Sequence, residues 1–231
     1  MVYEKNDIGK MFSSITPWYD FLNHLLSFNL DRKWRREVIK MVGFSKSLMV
    51  LDVCTGTGDI AIGLKSMGHK VVGIDISGEM LRVAMRKAEK KKVTDGFFFV
   101  RGDALFLPFK NETFDLITIG FGLRNFTSYE KGISEMVRVL KRGGRLFVLE
   151  FSMPRGGIFS FLYSIYLKKI LPLIGGLVSG SRDAYRYLSS SIQCFMKKGE
   201  VVELLKKFGL QAVGLKELTG GIAVIYYGIK P

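Results

Sequence analysis

From Leu48 onward, short runs rich in Val, Ile, Leu and Phe alternate with stretches of helical periodicity. The runs are LMVLDV (48–53), KVVGIDI (70–76), FFFVRG (97–102), FDLITIG (114–120) and RLFVLEF (145–151). Nearly continuous apolar runs separated by amphipathic segments predict an α/β fold, in which helices cover both faces of a parallel sheet. Helices are predicted at 59–67, 77–91 and 128–140, with Ser77 as N-cap of the second and Gly143-Gly144 stopping the third. The end of the chain breaks this alternation. LQAVGLKEL (210–218) meets GIAVIYYGI (221–229) across only Thr219 and Gly220, too short for a crossover helix. The last two strands are therefore predicted to form an antiparallel hairpin, giving a mostly parallel seven-stranded sheet.

In such a sheet the ligand crevice lies outside the carboxyl ends of the parallel strands. That rule selects Asp52 to Gly58, Asp75 to Ile76, Asp103 to Ala104 and Gly120 to Asn125. Within VLDVCTGTGD, Gly56 and Gly58 let backbone approach a ligand, and the helix opening near Asp59 aims free N–H groups at it. Asp75 closes the next strand with two acceptor oxygens suited to a ribose diol. The glycines with Ala61 also satisfy a dinucleotide-binding pattern. Asp52 favours a different cofactor, because a carboxylate before the loop repels pyrophosphate and attracts an ammonium. S-adenosylmethionine, with a cationic amine and sulfonium beside a carboxylate, fits the mixed charge. The closing hairpin favours it too. Asp103 also has a plainer reading as a turn cap.

The chain has 231 residues, 48% of them hydrophobic, enough for one large domain with a sizeable core. Its two cysteines, Cys54 and Cys194, have neither disulfide-framework nor metal-ligand spacing, and no metal site is expected. With no signal-peptide pattern at the start, a cytoplasmic location is expected. The stretch Ile158 to Val178 is apolar but interrupted by Lys168, Lys169 and Pro172, which suits an interfacial helix or a lid over a greasy pocket more than a membrane span. Formal net charge is +14. The run RKAEKKK (86–92) reads as a solvated helix face. Between 155 and 207, Arg155, Lys168, Lys169, Arg182, Arg186, Lys197, Lys198, Lys206 and Lys207 accompany the apolar stretch. Basic and apolar character together point to an anionic membrane surface, bound peripherally, rather than to nucleic acid.

The segments MFSSITPWYDFLNHLLSF (11–28), LDVCTGTGD, FGLRN (121–125), VLKRGGRLFVLEFS (139–152), YRYLSSSI (185–192) and LTGGIAVIYYG (218–228) run almost end to end. In them the chain resembles the UbiE-type C-methyltransferases of menaquinone and ubiquinone biosynthesis. The resemblance implies a Rossmann-like class I methyltransferase fold. It also implies a single domain: an N-terminal helical cover (1–46), a cofactor core (47–151), a helical substrate cover (152–196), and a final helix with the hairpin (197–231). Thr57, Asp75, Asp103 and Ala104 are implied as S-adenosylmethionine contacts, and a polyprenyl quinol, demethylmenaquinol first, as acceptor. Two departures stand out. Gly120 occupies a position where relatives commonly carry Ser, and His24 one where they often carry Asp, so His24 is read as lying on a helix surface with solvent or a polar partner.

Methylating a ring carbon requires alignment and a nucleophilic quinol, not a covalent enzyme nucleophile. Arg124 and Asn125 are placed to stabilise a developing phenolate, and Arg124 to polarise a water that carries the proton away. Asp20 is the expected proton acceptor. Tyr19, Asp20 and Asn23 share one helical face by spacing. Tyr185, Tyr187 and Ser191 are expected along the substrate side, and assembly as a homodimer is compatible with the chain. Each has a structural alternative: Arg124 as a sheet-edge ion pair, Tyr19 as packing, Asp20 as a helix-start charge. Two other functions stay open at this point, a methyltransferase for another hydrophobic small molecule and an inactive basic nucleic-acid-binding protein.

Overall fold

The computed structural model describes residues 20–43, 47–179 and 182–231. Its sheet has seven strands: β1 (Met49–Val53), β2 (Lys70–Asp75), β3 (Phe97–Arg101), β4 (Phe114–Gly120), β5 (Leu140–Phe151), β6 (Gln211–Leu218) and β7 (Ala223–Ile229). Their order is β3-β2-β1-β4-β5-β7-β6. The first five pair in parallel, and β7 runs antiparallel to both neighbours, β5 and β6. Strand order reverses at β1, between β2 and β4, so the carboxyl ends of those three strands open onto one crevice. Buried Val, Ile and Leu on both faces of β1 and β4 explain why these strands read as unbroken apolar runs.

The core helices fall close to expectation. They are α1 (Leu30–Val42), α2 (Asp59–Ser66), α3 (Gly78–Lys90) and α4 (Tyr129–Val139). Ser77 caps α3 by accepting from the Met80 N–H at 3.3 Å. One boundary differs. α4 ends at Val139 and β5 begins at once, so Gly143-Gly144 does not stop a helix. Instead Gly143, at φ 73°, sits within the long β5 and donates to the Lys230 carbonyl beside the chain end.

Between β5 and β6 lie α5 (Gly157–Ile165), a π turn (Tyr166–Ile170), α6 (Leu171–Ser179), α7 (Arg182–Cys194) and α8 (Lys198–Lys207). Pro172 cannot donate to the carbonyl four residues earlier, and the wider π turn falls just before it, where Leu171 N–H bonds Tyr166 instead. By length and composition alone, Gly157–Gly176 is long and apolar enough to cross a membrane. Tyr163, Leu167 and Leu171 of that helix are nevertheless buried with Leu22 and Leu26 of the helical segment 20–26 and with Tyr185 and Ile192 of α7. This small satellite core roofs the crevice beside β5 and β7.

Candidate active site

The chain leaves β1 through Cys54, a non-glycine residue at φ 53°, and turns at Gly56 (φ 54°). The Gly56 N–H donates to Asp75 Oδ2 at 2.8 Å, and Ser77 N–H donates to Asp75 Oδ1 at 2.9 Å. Asp75 thus ties the glycine loop to the end of β2. The Ile76 N–H also bonds this carboxylate, and of its roughly four acceptor positions about one remains for a ligand hydroxyl. Burial pushes the Asp75 carboxyl above its usual range despite these N–H donors. Gly58 does a different job from Gly56. It starts α2 at φ 83°, and a Cβ there would lie 3.0 Å from the Ala84 Cβ, so the missing side chain lets α2 and α3 meet.

A cleft of about 820 Å³, including its open mouth, lies across these strand ends. Of the expected cofactor residues it gathers Gly56, Asp75, Ile76, Asp103, Ala104 and Gly120, and it adds Asn125. Asp103 also accepts from its own Leu105 N–H at 3.0 Å, so the turn-capping reading holds alongside its place on the wall. Met80, Leu105, Phe121 and Phe126 line the cleft as well and were not singled out in the sequence. At Gly120 a Cβ would lie 2.5 Å from Ile60 Cδ1, so Ile60 fills the space that a side chain at 120 would use.

A smaller polar compartment of about 330 Å³ shares Cys54, Gly56 and Gly120 with the cleft and is otherwise lined by Arg35, Asp52, Thr55, Thr57, Asp59 and Ile60. Asp52 accepts from Thr55 Oγ1 at 2.7 Å and Thr118 Oγ1 at 2.6 Å. Burial outweighs both bonds and raises its pKa to about 6. An apolar slot beside Asp75, joined to a charged compartment over Asp52, matches S-adenosylmethionine part by part: base, ribose, then amino acid. Bound there, the cofactor supplies an activated methyl group.

Thr57, on the lining of the polar compartment, is bonded to Asp20, which lines neither the cleft nor the compartment. Thr57 Oγ1 donates to Asp20 Oδ1 at 2.6 Å, and Lys87 Nζ donates to Asp20 Oδ2 at 3.0 Å and also bonds Asp59. The Asp20 carboxylate is therefore a latch between the segment 20–26 and the cofactor helices, where a free proton acceptor was expected. His24 finds its polar partner in Asp31, at 2.7 Å.

Arg124 is buried. It donates to Glu150 Oε1 at 2.8 Å and to the Phe121 carbonyl, and its backbone N–H donates to Glu150 Oε2 at 3.1 Å. The guanidinium carbon lies 5.3 Å from the Phe151 ring centroid, while Nε is buried with no partner. Glu150, fully buried on β5, escaped notice in the sequence; the signal was an acid embedded in the apolar run LFVLEF (146–151). Next to it, Asn125 accepts from the Tyr187 hydroxyl at 3.0 Å.

An apolar cavity adjoins this group, lined by Asn23, Leu26, Phe28, Trp34, Phe151 and Tyr163 among others. Phe121, on the cleft wall, packs on Phe151, on the cavity wall, with ring centroids 4.4 Å apart. One layer of aromatic rings thus divides the two spaces. Asn23 lines this cavity, whereas Tyr187 lines neither space and reaches the cleft through its bond to Asn125. Tyr185 is 3% exposed and its ring fills the notch at Gly175, so it packs α6 on α7 and lines neither space. Ser191 Oγ bonds its own helix at Leu188, 3.0 Å away. Tyr19 lies outside the described residues.

Solved structures share this architecture at low identity: the [4+2]-cyclase SpnF (TM-score 0.71, 16% identity, covering 97% of this chain and 95% of that one) and a Haemonchus contortus phosphoethanolamine N-methyltransferase with bound S-adenosyl-L-methionine (TM-score 0.65, 18% identity, covering 85% and 52%). Closer in sequence are a demethylmenaquinone methyltransferase of Thermus thermophilus (44% identity, covering 96% of this chain and 100% of that one) and a ubiquinone/menaquinone biosynthesis C-methyltransferase of Geobacter sulfurreducens (42%, covering 96% and 88%). The model of the ubiE/COQ5 methyltransferase family matches residues 1–230. With a strand-end cleft and charged compartment suited to S-adenosylmethionine, and with a family match along nearly its whole length, the chain is an S-adenosylmethionine-dependent methyltransferase that belongs to the ubiE/COQ5 family.

Proposed function

We propose that this enzyme C-methylates the ring of a polyprenyl quinol, demethylmenaquinol before a ubiquinol precursor, while docked on a membrane surface. The observation that carries the reading is the apolar cavity separated from the cofactor cleft by the Phe121 and Phe151 rings. A quinol ring seated at that layer meets Arg124 and Asn125, and its apolar tail follows the cavity between the segment 20–28 and α5–α7. The relatives named for demethylmenaquinone support the choice of acceptor.

The chemistry needs an electron-rich ring carbon. When a phenolic hydroxyl loses its proton, charge spreads to the adjacent carbon, and that electron pair forms the new C–C bond as the carbon–sulfur bond breaks. The ring carbon then loses its hydrogen as a proton while the phenolic oxygen regains one, so one proton leaves overall and S-adenosylhomocysteine departs. Arg124, held by Glu150 with a spare buried N–H, stabilises the phenolate and orients a water that takes the proton. Arginine stays protonated and does not act as the base itself.

Phe28 lines the cavity and is exposed, as are Phe21 and Leu25 on the same segment and Ile158, Phe161 and Leu162 on α5; Phe28 and Ile158 are 78% and 79% exposed. Exposed Lys168, Lys169 and Arg155 accompany them. Apolar wedges with a basic rim suit the cytoplasmic leaflet, where anionic headgroups meet acyl chains. The test supplies labelled S-adenosylmethionine with demethylmenaquinol in anionic vesicles, and in parallel with an RNA pool. Label in the quinone supports the reading. Label in RNA, or in neither acceptor despite cofactor binding, rejects it.

A further inference from the structure

We infer that the Tyr163 hydroxyl donates a hydrogen bond to the ring oxygen beside the prenyl tail, opposite the oxygen that Arg124 stabilises, so that the ring is held at both ends while its free carbon is methylated. The inference rests on the quinol reading and adds a positioning contact to it. The polar side chains lining the otherwise apolar cavity are Asn23, Ser27, Trp34, Tyr163 and Tyr166. Ser27, Trp34 and Tyr166 are engaged within the fold: Ser27 Oγ donates to Asp31 at 2.8 Å, Trp34 Nε1 donates to Thr219 Oγ1 at 2.9 Å, and the Tyr166 hydroxyl donates to the Leu26 carbonyl. Asn23 and Tyr163 keep side chains without a hydrogen bond among the described residues. A phenol hydroxyl left unpaired in a greasy space is unfavourable, and a polar ligand atom relieves it.

Of the two, Tyr163 is coupled to the chemistry. Arg124 stacks on Phe151, which lines the cavity together with Tyr163, and the Arg124 charge reaches the Tyr163 hydroxyl. Burial pushes that hydroxyl far above the usual phenol range even against Arg124, so near neutral pH it is a donor and not a base. Packing sets its aim. Tyr163 is 8% exposed, and its ring lies 17° from parallel with Tyr166, centroids 6.3 Å apart, while Tyr166 is itself tied to Leu26. The two oxygens of a quinol are para to each other: one neighbours the free carbon that receives the methyl group, and the other neighbours the carbon bearing the tail. With the tail along the cavity, the second oxygen falls on the Tyr163 side of the aromatic layer. In the sequence Tyr163 was one aromatic residue in the apolar stretch 158–178, with nothing to separate it from Phe159 or Phe161.

Methyl transfer by the full chain is measured in anionic vesicles with two acceptors: demethylmenaquinol, and a prenylated naphthol that keeps the hydroxyl beside the free carbon and lacks the oxygen beside the tail. Tyr163→Phe removes the hydroxyl and keeps the ring. It should lower kcat/KM for demethylmenaquinol by roughly 10- to 100-fold, the range for leaving a buried polar group unpaired. For the naphthol, read as substrate and as competing inhibitor, the change should stay under about 3-fold, because the partner oxygen is already missing. The melting temperature should hold within about 2 °C, since the hydroxyl bonds no described group of the fold. Tyr166→Phe supplies the structural pattern for comparison: it frees the Leu26 carbonyl, and should lower the melting temperature and slow both acceptors alike. Equal losses on both acceptors for Tyr163→Phe would mean that its hydroxyl only shapes the roof, and an unchanged rate on demethylmenaquinol would mean that it makes no contact. Either result overturns the inference and leaves the quinol reading standing. A parent enzyme that binds cofactor yet methylates neither acceptor rejects the quinol reading itself, and the inference with it.

Discussion

The cofactor cleft is bounded by strand ends and tight turns whose polar groups are mostly satisfied within the protein, whereas the adjoining apolar cavity is bounded by helices that leave several large side chains uncovered. On the first side, Asp75 closes the Gly56 turn and Asp52 sits under two threonine hydroxyls. On the second, Leu22, Tyr163 and Leu167 are buried while Phe21, Ile158 and Phe161 of the same segments face out. A rigid, polar, prepaid geometry suits a small ligand of fixed shape and mixed charge. A loosely roofed greasy space suits a long tail of variable length. Under the proposed function, the two sides differ because one ligand arrives from water and the other from a membrane.

The sharpest way to break this contrast is at the layer between the two sides. Arg124→Gln combined with Glu150→Gln removes the buried pair without stranding one charge, and should lower turnover about 100- to 1000-fold. Affinity for S-adenosylhomocysteine, measured by calorimetry, should stay within about 3-fold, placing the loss in the transition state. Asp75→Asn attacks the cofactor side alone; its affinity for S-adenosylhomocysteine should fall roughly 10- to 100-fold, with the apparent KM for quinol unchanged. The acceptor side is probed by Phe21→Ser/Ile158→Ser/Phe161→Ser. Binding to anionic vesicles, followed by sedimentation, should drop by about 10-fold or more, with cofactor affinity unaltered.

The last effect concerns pH. Asp52 has its pKa raised from 3.8 to about 6 by burial, so ionising it costs stability. That cost is absent below about pH 4, grows between pH 4 and 6, and is complete above it. Asp52→Asn should therefore be more stable to unfolding than the parent at pH 8, by on the order of 3 kcal/mol, and match it near pH 4. Cofactor affinity should respond oppositely. The parent gains it as pH rises through 6, and the variant stays flat.

The contrast also explains what could be read from the sequence. Strand positions and the hairpin follow from local alternation and a two-residue connection, and they match the structure within a residue or two apart from the early start of β5. Asp75, Asp103 and Gly120 are recognisable because strand ends of a doubly wound sheet converge by topology. What escaped were residues whose role depends on distant packing. Glu150 matters because Arg124 folds back onto it, and Lys87 because Asp20 arrives from 67 positions away. Tyr185 carried a motif's promise of substrate contact, yet its ring fills the notch left by Gly175. Motif membership identifies a residue that the fold needs without saying which neighbour needs it.

Phe121 holds φ 60°, a backbone state in which glycine would be at ease and which costs a bulky residue about 1 to 2 kcal/mol. Its ring touches Trp34 and Phe151 and lies under Arg35. The backbone and the ring therefore make opposite demands at one position. In a variant library scored for folding, Phe121→Gly would rank far better than its loss of wall would suggest. Scored for methyl transfer it would fail, marking the point where tolerance and activity part company in this enzyme.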